Sequence, residues 1–256
     1  MHGALRHYVD VVAVLAEKDF KVRYRNSVLG FLWSLLNPLS SMVILTIVFS
    51  FLFHVQNVPA YAATLLVGLL VWRFFSIATN QGLSTILGNP SLVSKVYVSR
   101  YVIVLSNNMA NLLGAALEFV VLLPLLVLFG VNLTPYFLFL PVILILEFLL
   151  VFAISLSLSS LYLRYRDLNQ VWDIVLQLGF WLCPIVYDAS LIPERYRFLY
   201  GLNPVTCLIE STRRILLQRQ LPTVFGSVVI FSSIGILLLI GFLIFIRLER
   251  GFAEEL

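Results

Sequence analysis

Long uncharged stretches alternate with short charged ones along this chain. Residues 26–72 contain no Lys, Arg, Asp or Glu, and a short polar stretch at 54–59 divides them into two apolar halves. A hydrocarbon layer about 30 Å thick takes about 20 apolar residues to cross as a helix, so these halves predict two membrane spans joined by a turn. Charge-poor segments occur in all at 28–53, 60–84, 101–129, 136–162, 168–187 and 223–247. The pattern predicts an all-α polytopic membrane protein with six transmembrane helices.

Composition supports this class. Hydrophobic residues make up 61% of the 256 residues and charged residues 12%, with a mean hydropathy of +0.99. A soluble domain usually has about 25% charged residues, which argues against a soluble enzyme. The net charge of +4 is better explained by topology signals at a membrane surface than by a nucleic-acid partner. Acidic residues within the first 27 positions argue against a cleavable signal peptide.

The distribution of cations predicts the orientation. The turns at 54–59 and 130–135 lack Lys and Arg, whereas the N-terminal segment, 85–100, 163–167 and the C-terminal tail carry them. By the positive-inside rule, both termini are expected on the cytoplasmic side.

The N-terminal residues 1–27 form a separate predicted unit. Apolar residues on one helical stripe are followed by cations on one face: Leu5, Tyr8, Val12 and Leu15, then Lys18, Lys21 and Arg25. Such a helix lies at the headgroup level, where its cations meet anionic membrane lipid or an acidic partner. We therefore predict a cytoplasmic amphipathic interface helix at 1–27 and a six-span domain at 28–256.

Segment 188–222, between the fifth and sixth predicted spans, carries five arginines although the count places it outside. Pro193 and Gly201 bound one short predicted helix, and Asn203 with Pro204 supplies an N-cap and a first-turn proline for a second. The second helix is amphipathic, and its predicted water-facing side carries Glu210, Arg213 and Arg214. The pattern favours a re-entrant helical pair, with a hairpin lying flat on the surface as the alternative.

The sequence contains no nucleotide-binding loop of the form Gly-x-x-x-x-Gly-Lys-Ser/Thr and no hydrolase or zinc motif. We therefore predict no catalytic residue, no metal site and no cofactor bound by this chain. The two cysteines, Cys183 and Cys207, have no metal-ligand spacing, and a disulfide between them stays open.

Arg73, Glu118 and Glu147 are ionisable residues deep within predicted spans. Each lies about 11 to 13 residues from the outer end of its span, which predicts a shared mid-membrane depth. Because an unpaired charge in lipid is costly, we expect Arg73 to pair with one or both glutamates. Three roles stay open for this cluster: a structural tie between helices, the lining of a polar path, and a proton relay.

Several motifs together resemble one family, the permease subunits of polysaccharide-exporting ABC transporters. They cover nearly the whole chain, in order: RYRNSVLGFLW at 23–33, LNPL at 36–39, GLLVW at 68–72, GNPSLV at 88–93, YRDL at 165–168, LIPE at 191–194 and LNP at 202–204. Each motif is weak alone, but the series in register is specific. Arg73 departs from the small polar residue, such as Asn, that this resemblance leads us to expect.

The resemblance implies a type-2 ABC permease for O-antigen, teichoic acid or capsule. It implies a homodimer with two separate ATPase subunits that bind ATP and Mg²⁺, moving a lipid-linked glycan out across the bacterial inner membrane. Residues implied to contact the ATPase are Lys18, Lys21, Arg25, Asn89, Pro90, Ser91, Leu92, Val93, Arg164, Arg166 and Asp167. Residues expected along the translocation path are Phe31, Trp33, Arg73, Phe180 and Trp181. Residues implied for an outer gate are Pro193, Gly201, Asn203, Pro204, Glu210 and Arg213.

Other functions stay open at this point. The aromatic residues near the path suit sugar rings, yet they also suit an ordinary interfacial belt. The main alternative is an ABC exporter for a drug or a small lipid. A membrane-embedded transferase and an ion-coupled carrier are more distant alternatives.

Overall fold

The computed structural model describes residues 2–24, 30, 32–53, 58–90 and 99–249. These residues fold into helices without any strand, which confirms the all-α prediction. In chain order the helices are α1 His2–Tyr24, α2 Leu32–Phe53, α3 Val58–Ser84, α4 Tyr101–Leu128, α5 Leu140–Arg164, α6 Leu168–Leu182, α7 Glu194–Gly201, α8 Pro204–Leu216 and α9 Val224–Glu249. Short 3₁₀ helices at Pro135–Phe139 and Ala189–Leu191 precede α5 and α7.

Five helices of the described chain are long and apolar enough to cross a bilayer: α2, α3, α4, α5 with its preceding 3₁₀ turn, and α9. They make the protein an integral membrane protein. The predicted fifth span at 168–187 differs, because α6 has 15 residues and is therefore only about 22 Å long. Cys183 leaves the helix with φ −85° and ψ 147°, the extended conformation that a following proline, here Pro184, imposes. A continuous sixth transmembrane helix is thus not confirmed.

Helices α3 and α5 form the centre of the bundle. Both are buried along most of their length, and α9 packs extensively against α5, whereas α2 packs against α3 through one narrow stripe. The buried stripe of α2 contains Leu35, Met42 and Thr46, and its other faces are exposed. The core is therefore made mainly by α3, α4, α5 and α8, with α2 at its edge.

Small residues allow the central helices to approach closely. A Cβ added at Gly241 of α9 would lie 2.7 Å from the carbonyl oxygen of Ala153 in α5. A Cβ at Gly82 of α3 would lie 2.2 Å from Oγ of Ser155, also in α5. Such contacts are how membrane helices gain packing energy without a hydrophobic driving force between them.

One end of the bundle gathers the ends of four helices. A cluster of buried side chains joins the residues after α3 to the start of α4, the end of α5 and the end of α9. Arg100, before α4, donates a hydrogen bond to the carbonyl oxygen of Glu249 in α9. Helix α1 packs against α4, and its Ala16 is buried. The residues around 85–90 and 163–167 therefore lie at the same end of the molecule.

Candidate functional site

An ion pair joins α3 to α4 inside the apolar bundle. Nε of Arg73 lies 3.2 Å from Oε1 of Glu118, and the two side chains are 21% and 9% exposed. Pairing offsets the cost of placing either charge within a membrane span. The structure thus brings together two of the three mid-membrane residues that the sequence analysis singled out.

Glu147 is the third of these residues, and it does not join the pair. Its side chain is completely buried in α5, and neither carboxylate oxygen has a hydrogen-bond partner among the described residues. The similar predicted depths of the three residues in the membrane led us to expect the pairing of Arg73 with Glu118. Depth does not give the direction in which a side chain leaves its helix, so it could not separate Glu118 from Glu147.

Two cavities meet at Arg73. They have volumes of about 410 and 420 Å³, and both are lined by Asn37, Arg73 and Ile77. We call the residues that line them the Arg73 groove. The first cavity is the polar side of the groove, because only it is lined by Ser34, Gln81, Asn111 and Glu118. The second is the aromatic side, because only it is lined by Trp72, Phe180 and Trp181.

The polar side of the Arg73 groove is an ordered network. Asn111 of α4 donates to Oε1 of Gln81 in α3 at 3.2 Å and to the carbonyl oxygen of Asn107 at 3.0 Å. These amides were missed by the sequence analysis. Their spacing in the sequence could have located them. Arg73 and Gln81 are eight residues apart in α3, and Asn111 and Glu118 are seven apart in α4. Each amide therefore lies on the same helical face as one member of the ion pair.

The aromatic side of the groove is built on a glycine contact. The ring of Phe180 lies edge-on to Trp72 at 6.2 Å and to Trp181 at 5.2 Å. A Cβ added at Gly179 would lie 2.7 Å from Cη2 of Trp72, so the indole packs directly on the backbone of α6. Trp181 itself is 56% exposed at the rim.

The residues predicted to line a translocation path can now be located. Trp33, Arg73, Phe180 and Trp181 all line the Arg73 groove, whereas Phe31 lies outside the described residues. Trp33, on α2, is 59% exposed.

Helix α6 runs antiparallel to α3, with contacts at three levels. Near its start, Nε1 of Trp172 donates to Oγ1 of Thr79 at 3.2 Å, and Oδ1 of Asp173 accepts from Asn80 at 2.6 Å. Midway, Gly179 packs on Trp72. After the helix, the carbonyl oxygen of Val186 accepts from the Tyr61 hydroxyl at 2.7 Å. The segment therefore follows α3 from Asn80 to Tyr61, a rise of about 28 Å along that helix.

The segment before α9 forms two helices where the sequence predicts them, α7 after Pro193 and α8 after Asn203. The Asn203 side chain caps α8 by accepting from the backbone N–H of Val205 at 2.9 Å, and Pro204 occupies the first turn.

Cys183 and Cys207 are both buried free thiols. They do not form the disulfide that the sequence analysis left undecided.

The predicted water-facing position of Arg213 is wrong. Its side chain is buried at 2% exposure and donates to the carbonyl oxygens of Thr64 at 3.2 Å and Ile185 at 2.9 Å, and to Glu210 at 3.1 Å. Gly68 supplies the room, since a Cβ there would lie 3.0 Å from the guanidinium. Arg213 therefore ties α8 to α3 and to the segment after α6.

The sequence profile of the ABC-2 type transporter family matches residues 11–217. The chain belongs to the ABC-2 type transporter family. It is 33% identical to the O-antigen export system permease protein RfbA of Klebsiella pneumoniae, over 98% of this chain and 97% of the relative. It is 28% identical to a protein of the same name in Myxococcus xanthus, with the same coverage. It is 24% identical to the polysialic acid transport protein KpsM of Escherichia coli, over 79% of each chain.

Membership confirms the family resemblance seen in the sequence. It makes the chain an ABC transporter permease, a transport component and not an enzyme, which works with an ATP-hydrolysing partner.

The residues predicted to contact the ATPase lie in three places on this permease. In α1, Lys18 lies 3.5 Å from Asp19, and Lys21 lies 2.5 Å from Glu17, where the ammonium lowers the pKa of the Glu17 carboxyl. After α3, Asn89 donates to the carbonyl oxygen of Thr85 at 2.9 Å, closing a turn before Pro90.

The third place is the α5–α6 connection. Arg164 and Arg166 lie over the rings of Tyr165 and Tyr162, each at 6.0 Å, and both arginines are exposed together with Asp167. Four further predicted contact residues lie outside the described residues, namely Arg25, Ser91, Leu92 and Val93.

Proposed function

We propose that this permease exports a lipid-linked, O-antigen-like polysaccharide from the cytoplasmic to the outer side of the bacterial inner membrane. The Arg73 groove carries the proposal, because it joins an ion pair and amide side chains to exposed indoles inside an apolar bundle. Amides and carboxylates form hydrogen bonds with sugar hydroxyls, and aromatic faces pack on sugar rings. The relatives named for O-antigen and polysialic acid transport support this substrate class over a drug or a small lipid.

Six crossings fit the contacts of α6 better than five. The course of residues 172–186 along about 28 Å of α3 nearly equals the hydrocarbon thickness of about 30 Å. In this proposal α6 and the extended residues that follow it cross together. Both termini are then cytoplasmic, with 1–27 at the cytoplasmic surface and 28–256 as the six-span permease domain. Segment 188–222 then returns into the outer leaflet as the gate, held to α3 by Arg213.

A conduit beside α6 is supported by its exposed polar stripe. Gln170, Asp173 and Gln177 lie on one side of the helix and are exposed, although Asp173 also bonds to Asn80 of α3, and Gln177 lies near mid-membrane. Polar side chains at this depth face a wet cavity or a partner, not lipid. We infer that a second copy of the permease covers α6 and the exposed face of α2, so that the homodimer encloses the conduit.

The ATPase contact is proposed at the helix end that gathers 85–90, 163–167 and α1. Two ATPase subunits dock there and bind ATP and Mg²⁺. Exchanging Arg166 for Glu should weaken co-purification of the ATPase, because it reverses a charge in the docking surface. The matched control is Arg195→Glu, at an exposed arginine in α7. Equal retention of the ATPase by both variants would contradict the assignment.

The function is tested in cells from which the gene has been deleted. Loss of surface glycan with accumulation of lipid-linked glycan inside the cell is expected, and the wild-type gene should reverse both. Normal surface glycan in the deletion strain would reject the proposed substrate. Complementation with Trp181→Ala should reduce export if the groove contacts sugar, whereas Leu239→Ala on the exposed side of α9 should restore it fully.

A further inference from the structure

A third cavity lies apart from the Arg73 groove and shares no lining residue with it. It has a volume of about 250 Å³ and is enclosed by the 3₁₀ turn Ala189–Leu191 and by α7, α8 and the start of α9. Its principal lining side chains are Arg197, Tyr200, Cys207, Glu210, Arg214 and Phe225. We call it the α8–α9 pocket.

The two arginines that line the α8–α9 pocket differ in their partners. Glu210 is committed to Arg213 at 3.1 Å, and Nη1 of Arg197 lies 3.7 Å from Glu194. Arg214 donates only to neutral acceptors, the carbonyl oxygen of Leu221 at 3.0 Å and Oε1 of Gln220 at 2.7 Å. Among the described residues it has no carboxylate partner. Arg214 therefore presents to the pocket a guanidinium that is bonded to no carboxylate of the described residues.

An apolar track leads out of the pocket along α9. Phe225 lines the pocket and is 49% exposed, and its ring lies 6.2 Å from that of Phe198 in α7. Val228 and Phe231 continue from it at helical spacing and are about 60% exposed. Because α9 is long and apolar enough to span the membrane, this strip lies against acyl chains.

We propose that the α8–α9 pocket binds an anionic glycerophospholipid. Its phosphate pairs with Arg214, since a guanidinium presents parallel donors that match phosphate oxygens. One acyl chain lies along Phe225, Val228 and Phe231, where apolar surface is already exposed. A free sugar would use the aromatic rings but would bring no anionic group to Arg214. A lipid bound here would contact both α8 and α9 and so stabilise their packing. The site does not depend on which substrate the permease exports.

The test uses the intact complex of permease and ATPase, stripped of lipid in detergent. Dioleoylphosphatidylglycerol is titrated and the bound lipid is counted by native mass spectrometry, with dioleoylglycerol as the probe that lacks phosphate. One retained phosphatidylglycerol per permease chain is expected, with little retention of dioleoylglycerol. Arg214→Gln should weaken binding by about tenfold, the usual loss for a hydrogen bond to a charged group. The control Arg195→Gln, at an exposed arginine outside the pocket, should bind as the wild type does.

A second variant tests the acyl track independently of the arginine. Phe231→Gln changes an exposed side chain of α9, so the fold should persist, while phosphatidylglycerol should bind more weakly. The proposal is overturned if wild type retains no phosphatidylglycerol, or if Arg214→Gln and Arg195→Gln lose equal affinity. It is also overturned if inorganic phosphate or glucose at millimolar concentration displaces the lipid fully, since the site would then recognise a free anion or a sugar.

Discussion

Helices α5 and α6 follow one another in the chain and are both apolar, yet they meet opposite environments. Sixteen residues of α5 are buried, from Leu140 to Leu163, whereas α6 has no buried residue. The reason is the number of neighbours: α5 packs against α3, α4, α8 and α9, whereas among the described helices α6 packs mainly against α3 and α5. Hydrophobicity alone therefore does not tell whether a helix is covered by protein.

The polar residues of the two helices differ in the same way. Those of α5 are enclosed: Glu147 and Ser155 are fully buried, and Ser160 donates back to the carbonyl oxygen of Leu156 at 2.8 Å. In α6, by contrast, Gln170, Asp173 and Gln177 are exposed. Substitutions in the contacts of α5 should therefore act on stability, and substitutions on the open face of α6 should act on transport.

The largest effect is expected where α9 touches α5. Gly241→Val should lower the free energy of unfolding by at least about 3 kcal/mol, because its Cβ would collide with backbone and overpacking of this kind cannot relax. The measurement is reversible unfolding of the purified permease in mixed detergent. Gly235→Val in the same helix is the control, since its Cβ meets nothing within 4 Å. Equal losses in both variants would mean that this close approach does not exist.

A smaller loss is expected at the ion pair. Arg73→Gln should destabilise by about 2 kcal/mol, less than for a fully buried pair because Arg73 lines a cavity. Adding Glu118→Gln should recover part of the loss in a double-mutant cycle measured by unfolding, since no carboxylate is then left unpaired. Glu147→Gln serves as the control and should be additive with Arg73→Gln. If the unfolding free-energy changes of Arg73→Gln and Glu118→Gln were also additive, the contact between Arg73 and Glu118 would be contradicted.

Substitutions on the open face of α6 should change export without changing stability. Gln177→Leu should alter the unfolding free energy by less than about 0.5 kcal/mol, since the side chain is exposed. Export, measured as surface glycan in a deletion strain, should fall because a polar group is lost from the conduit. Val175→Leu on the same helix is the control and should leave export unchanged. Full export by the Gln177→Leu variant would contradict the placement of α6 beside the conduit.

The subtlest difference concerns access of water. In a background with Cys183 and Cys207 replaced by Ala, a cysteine at Gln177 should react with a membrane-impermeant maleimide. Cysteines at Leu150 in α5 and Leu239 in α9 should stay unlabelled, one because protein covers it and the other because lipid does. Equal labelling at Gln177 and Leu239 would show that α6 faces lipid, and the conduit proposal would fail.

Much of the fold was predictable from the chain alone. Apolar runs of about 20 residues located five of the membrane helices, because the bilayer sets their length. Asn203 and Pro204 correctly predicted the start of α8, because an N-cap residue and a first-turn proline act on the backbone next to them. The early end of α6 was also encoded locally, in Pro184, but the apolar residues on either side of this proline hid it in a longer predicted span.

The candidate site was predictable only in part. Trp33, Arg73, Phe180 and Trp181 were named from the sequence and line the groove, whereas Gln81 and Asn111 were missed. The missed amides share helical faces with the ion pair, so the spacing held the signal. Which helix those faces meet depends on packing between segments far apart in the chain, and no spacing within one helix carries that information.

The amino-acid sequence by itself determined which segments are helical and apolar enough for a membrane, because those properties depend on neighbouring residues and on the thickness of the bilayer. Only the tertiary structure decided that Arg73 pairs with Glu118 and not with Glu147, and that Arg213 is buried against the carbonyl oxygens of Thr64 and Ile185. A guanidinium is drawn to whichever acceptors the packed helices bring within about 3 Å. That distance is fixed by how small residues such as Gly68 let the helices approach, and it exists only once they have packed.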